Sequence, residues 1–160
     1  VDIRKIRYYE GKETRIEYTD DVDGKDEVSE HKRVSKQAPE KAFVDALQAF
    51  MPLLVAACGL GEVWTKAGVV TGLTFGEERA SGGGTRMNLM VHGRCTPEGQ
   101  ASPVLLNSPL MREASDETNV GKPGFLSSDW DDAIEMMRTQ AIRFLQGKRA
   151  QADLPLAPAA

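Results

Sequence analysis

The chain is short of the residues from which most catalytic and metal sites are built. Among its 160 residues there are two cysteines, Cys58 and Cys95, and two histidines, His31 and His92. A framework of disulfides is therefore not the basis of its stability. Both cysteines sit in apolar contexts and read as small buried thiols of a reducing compartment. A Cys2His2 zinc site would consume all four residues and would need three separated segments to converge. His92 and Cys95 lie three apart in an extended stretch, which sends them to opposite faces and removes both a shared metal and a Cys-His dyad. Cys95 is expected in the core and His92 on the outer face.

Long apolar runs are missing too. The most apolar segment, Phe50 to Leu60, is 11 residues long and contains Pro52, whereas a membrane span needs about 20. It reads as core helix. The opening Val1-Asp2-Ile3-Arg4-Lys5-Ile6 is not the apolar stretch of a secretory signal, so a cytoplasmic protein is expected. There is no surplus of positive charge: the formal net charge is −4 and the pI is near 5.3. Such a balance speaks against coating duplex DNA through bulk charge and leaves room only for a local basic patch.

What is present suits one compact domain, 41% hydrophobic and 28% charged. Residues 1–151 are expected to form it, with 152–160 a flexible tail. Ile3, Lys5, Arg7 and Tyr9 alternate with Arg4, Ile6 and Tyr8, as in a strand, and Glu10-Gly11-Lys12 turns the chain into a second one. Asp23-Gly24 is the strongest hairpin dipeptide, and Val28 to Val34 suit a third, solvated strand. Phe43, Ala46, Leu47, Phe50 and Leu54 recur at helical spacing after Pro39, with Pro52 expected to kink or interrupt the last turns. Val69, Thr71, Leu73 and Phe75 share one strand face, and Met87, Leu89, Val91 and Cys95 share another. Val104 to Leu106 make a short strand, and Asn107 to Leu126 read as irregular. From Ser128 to about Gln146, Trp130, Ala133, Ile134, Met137, Ala141, Phe144 and Leu145 form the stripe of a long helix capped by Ser127 or Ser128. The fold class is α+β: a mainly antiparallel sheet with two helices packed on one face, in the order ββ(β)-α-ββ(β)-α.

Few motifs carry chemistry. The acids from Asp20 to Glu27 lack the glycine and glutamate spacing of an EF-hand, since the twelfth residue from Asp21 is Lys32. Gly82-Gly83-Gly84 is followed by Thr85-Arg86 rather than the Lys-Ser/Thr of a phosphate loop, and reads as a hairpin tip. The acids between Glu113 and Glu135 offer no histidine or metal-spaced pair. No metal ligands, cofactor or catalytic residues are expected. Two cationic groups remain: Arg86, His92 and Arg94 on the outer side of the sheet, and Arg143, Lys148 and Arg149 at the end of the last helix. Guanidinium groups engage phosphates bidentately, although cations at a helix C-terminus also compensate its dipole.

The Pro39-led helix with Ala46-Leu47, the Asn107-Ser108-Pro109 segment and the closing Gly147-Lys148-Arg149-Ala150-Gln151 together resemble small proteins of unassigned function encoded in tailed-phage and prophage genomes. That resemblance implies a setting among replication and recombination genes, in the cytoplasm of the host cell. The element order is also similar to part of a sliding-clamp domain, which at this length closes a ring only by forming an oligomer. The expected function is that of a non-catalytic accessory protein, working by binding nucleic acid or a replication or recombination protein, as an oligomer in the clamp case. The alternative is a protein that binds or sequesters a small ligand such as a nucleotide.

Overall fold

The computed structural model describes residues 1–22, 27–80, 82–114 and 118–151. The Asp23-Gly24 turn and the 152–160 tail lie outside them. The first 35 residues form an antiparallel meander of β1 (Asp2–Tyr9), β2 (Glu13–Asp21) and β3 (Val28–Ser35). Strict alternation would place Ile3 and Ile6 on opposite faces, yet both are buried. The register against β2 slips between Ile3 and Lys5, leaving Arg4 as an extra residue. A bulge of this kind restores the same face after three residues instead of two. β3 is the outer edge, and Glu30, Lys32 and Arg33 are exposed along it, a charged border that discourages further strand addition.

The second half of the sheet is the long hairpin of β4 (Gly68–Arg79) and β5 (Thr85–Cys95), followed by β6 (Val104–Asn107) and β7 (Met111–Arg112). Strand order is β3-β2-β1-β4-β5-β6, with β7 also paired to β5. The expected face of β4 needs correction, because the register slips between Val70 and Gly72 and makes Thr71 the bulged residue. Val70, Leu73 and Phe75 face the core, while Val69 is exposed. On β5 the expected face holds, with Leu89, Val91 and Cys95 buried. At the tip, Gly83 and Gly84 take φ of 90° and 76°, a region side chains avoid, and the Ala80 N–H closes the turn on Gly84 O at 3.1 Å.

Asn107 to Arg112 is more ordered than its composition promised. β6 and β7 follow one another along the same edge of β5, interrupted by Ser108-Pro109-Leu110. The Ser108 hydroxyl bridges the interruption: it accepts the Val91 N–H at 2.9 Å and donates to Pro109 O at 2.9 Å, while the Ser108 N–H donates to Val91 O. Leu126 and Gly124 then clasp Arg112 through backbone hydrogen bonds of 2.8 and 2.9 Å.

The first helix is split in two. α1 (Lys41–Gln48) and α2 (Met51–Ala57) are separated at Ala49-Phe50, and Pro52 stands in the first turn of α2 where no amide partner is lost. Pro39 precedes the N-cap Glu40 rather than opening the helix. A one-turn helix, α3 (Val63–Lys66), was not legible in the sequence. α4 (Ser128–Leu145) begins at Ser127, whose hydroxyl makes no capping hydrogen bond. Its stripe is buried except for Leu145, which is half-buried at the last turn, with Phe144 against Phe43 at 5.5 Å and Trp130 against Phe50 at 6.3 Å between ring centroids. Helices and inner sheet face share one core, which leaves the opposite face of the sheet without a helical cover. No helix among the described residues is long and apolar enough to cross a membrane.

Candidate functional site

The uncovered face is built by side chains brought into line by strand register. Arg7 pairs with Gly72, Gly72 with His92, and His92 with Asn107, so one row crosses β1, β4, β5 and β6. Thr74 stands in the neighbouring row, opposite Lys5 and Met90. His92 Nδ1 lies 2.6 Å from Asn107 Oδ1 and His92 Nε2 lies 3.0 Å from Thr74 Oγ1. A carboxamide oxygen only accepts, so the network assigns the proton to Nδ1 and leaves Nε2 to accept from the threonine hydroxyl. Arg7 donates to the same hydroxyl at 3.4 Å and to Ile6 O at 3.1 Å.

Burial pushes the His92 pKa below its ordinary value; the Asn107 hydrogen bond opposes that shift, and the charges of Arg7 and Lys5 add to it. Burial likewise lowers Arg7, against the raising influence of Tyr9 and Glu17. Since the folded value for His92 lies below the unfolded one of about 6.5, its contribution to stability is complete above that pH and is lost as pH falls through the lowered folded value. The urea midpoint of the protein is therefore expected to fall between about pH 7.5 and pH 5 by more than that of His92→Gln. Equal falls in the two proteins would show that His92 is not held neutral.

Thr74, His92 and Asn107 have the connectivity of a hydroxyl, a base and an orienting group, a pairing that sequence reasoning missed because their separation in sequence hides it. The register of three strands was needed to find it. Among the described residues no group of three or more His, Cys, Asp or Glu residues could hold a metal. The four residues considered for zinc are apart in role: Cys95 Sγ donates to Trp64 O at 3.5 Å, Cys58 Sγ to Asn107 O at 3.5 Å, and His31 stacks on Tyr18 with centroids 5.0 Å apart. Burial pushes the Cys58 thiol up, which disfavours a nucleophilic thiolate.

The cationic residues singled out in the sequence meet different fates. Arg86 donates to Glu78 Oε1 at 2.8 Å, and Arg112 takes the same oxygen at 2.8 Å. Arg143 grips Glu40 with two bonds of 3.0 and 2.9 Å, tying α4 to the N-terminus of α1 and holding the Glu40 carboxyl below its usual range. Arg149 folds back over the Phe144 ring at 3.5 Å, donates to Phe144 O at 2.6 Å and reaches Ser35 Oγ at 3.3 Å. Burial, with Arg33 nearby, lowers its pKa. The helix end thus serves as a cap that also locks α4 to the β3 edge, and among the described residues only Lys148 of that group is exposed without an ion pair. Arg138, on the same helix, lies over the Phe75 ring at 5.2 Å.

Arg94 is exposed and unpaired among the described residues, and it lines a cleft of about 310 Å³ together with Tyr8, Tyr9, Lys12, Val44 and Gln48. The cleft exists because β1 and β4 pair only from Lys5 to Arg7 and then separate. Gln48 takes the place of the missing strand: its carboxamide oxygen accepts the Val70 N–H at 2.8 Å and its nitrogen donates to Val70 O at 3.0 Å.

No family model, curated protein or solved structure matches the chain. Function rests on the chemistry of the face and the cleft. Of the six residues expected at a site, the fold gathers His92 and Arg94 on the open face with Arg86, and puts Arg143, Lys148 and Arg149 at the end of α4. Lys5, Arg7 and Thr74 complete the face, and no sequence motif marked them; their alternation in β1 and β4 was the only signal.

Proposed function

We propose that the chain is a non-catalytic accessory protein that binds single-stranded nucleic acid across its helix-free sheet face. One observation carries this reading. Four cations are neutralised internally: Arg4 by Asp2 and Glu77, Arg15 by Glu13, and Arg86 and Arg112 by Glu78. Lys32 on β3, Lys5 and Arg7 on β1 and Arg94 on β5 make no ion pair with a carboxylate among the described residues, and they span the sheet. Glu17, between Lys5 and Lys32 in the register, tempers but does not cancel them.

A flat face has no helix or ribbon to enter a major groove, which favours a flexible single strand over a duplex. Tyr9, exposed beside Arg15 at 5.6 Å, offers a ring for base stacking. A role in DNA replication or recombination, and a phage-type setting, rest on the sequence resemblance alone.

Titration of a labelled single-stranded oligonucleotide tests the reading. Four phosphate contacts imply a slope of log K against log salt of about −3, or roughly a fiftyfold loss between about 50 and 200 mM salt. Lys5→Glu combined with Lys32→Glu is expected to abolish binding, while Lys148→Ala leaves it unchanged. Absence of binding at low salt, or tighter binding to duplex, overturns the proposal.

A further inference from the structure

From the cleft between β1 and β4 we infer that the protein has a discrete site for a small organic anion with a flat ring, of the size and chemistry of a 5′-mononucleotide. This inference does not rest on the nucleic-acid reading. The cleft lies where two strands part and is lined by residues of α1, β1, β4 and β5, so it has walls that a surface stripe lacks. Val44 and Gln48 of α1 line it from the helix side, and Val69 and Arg94 belong to the outer face. Its volume of about 310 Å³ stands at the lower end of the range for sites that enclose small organic molecules.

The lining divides by chemistry. Arg94 and Lys12 are both exposed and unpaired among the described residues, and supply guanidinium and ammonium donors for a phosphate. Tyr8, Tyr9 and Val44 supply flat and apolar surface for a ring. Glu10 lines the same cleft and is the acceptor available to an amino or hydroxyl group of the ligand. Gln48 is committed to Val70 through one hydrogen and one lone pair, which braces the wall and keeps the strands apart. A ligand lacking the anion would leave Arg94 and Lys12 unanswered, and inorganic phosphate would leave the rings unused.

Isothermal titration with the four ribonucleoside 5′-monophosphates, the corresponding nucleosides and inorganic phosphate tests this on the intact chain. At least one nucleotide is expected to bind about tenfold or more tightly than either of its fragments. Arg94→Ala is expected to weaken that nucleotide by about tenfold or more, as loss of a charge-assisted bond does. Val44→Trp fills the cleft without altering any charge of the face, and should remove nucleotide binding while leaving titration by single-stranded DNA intact; circular dichroism of each variant checks the fold. No heat with any of the four nucleotides, equal affinity for phosphate alone, or an unchanged affinity in Arg94→Ala overturns the assignment. Nucleotide binding without DNA binding sustains the cleft and sinks the nucleic-acid reading, and the reverse result does the opposite.

Discussion

Phe144→Ala is expected to cost about 3–5 kcal/mol of folding free energy, the range for removing a large aromatic side chain from a core. Phe144 is 1% exposed and joins three parts of the molecule. Its ring packs on Phe43 of α1, the Arg149 guanidinium covers it 3.5 Å from the centroid, and its carbonyl accepts from the same guanidinium. Truncation therefore removes apolar contact on one side and the seat of the C-terminal cap on the other. For a domain of this size the thermal midpoint should fall by roughly 6–20 °C. Met136→Ala, at a position 56% exposed on the same helix, is the control and should stay within about 0.5 kcal/mol of the parent protein. A loss below about 1.5 kcal/mol for Phe144→Ala would mean that the end of α4 is not anchored as described.

Gly72→Ala is expected to be the most damaging change of a single atom group in the sheet. A methyl carbon at Gly72 would lie 2.5 Å from the Ile6 carbonyl oxygen and against the Arg7 guanidinium. The guanidinium can swing away, but the carbonyl belongs to the backbone of β1, so relief requires the β1–β4 pairing to open. Overpacking of this kind costs about 1–3 kcal/mol, and the short pairing between these strands concentrates the strain. Gly68→Ala is the contrast, because the first atoms it meets are the end of the flexible Met51 side chain. Urea denaturation should place Gly72→Ala well below Gly68→Ala in stability, with the His92 ring signals shifted as Arg7 is displaced from Thr74. Comparable stability for the two variants would refute the close approach of β1 and β4.

These two substitutions differ in how far they could be foreseen. Phe144 was visible as part of an apolar stripe, since helical periodicity is local and survives whatever the helix packs against. Gly72 had no such signal. Its role depends on which strand lies beside β4, and β1 is more than sixty residues away in sequence.

The same division runs through the site. Alternation in β5 put Arg86, His92 and Arg94 on one face, and the structure keeps them there. It could not say that Glu78 neutralises Arg86, that Thr74 and Asn107 hold His92, or that Arg94 borders a cleft, because each statement needs a partner from another strand. The basic helix end shows the converse: as a string of charges it read first as dipole compensation and second as a ligand site, and only the fold revealed Glu40 and Ser35 as partners of Arg143 and Arg149.

Local pattern by itself determined the α+β class, most of the core stripe of α4 and the inward face of β5, and it called for an interruption near Pro52, which the structure puts at Ala49-Phe50. Period, breakers and composition are properties of neighbours in sequence, so no tertiary knowledge is required to read them. Only the tertiary structure decided the bulges at Arg4 and Thr71, the ordered edge from Asn107 to Arg112, the choice of unpaired cations and the cleft. A bulge adds one residue and inverts the face of all that follows, and an ion pair or a cavity is a relation between distant segments. Such relations exist only once the strands have found their register.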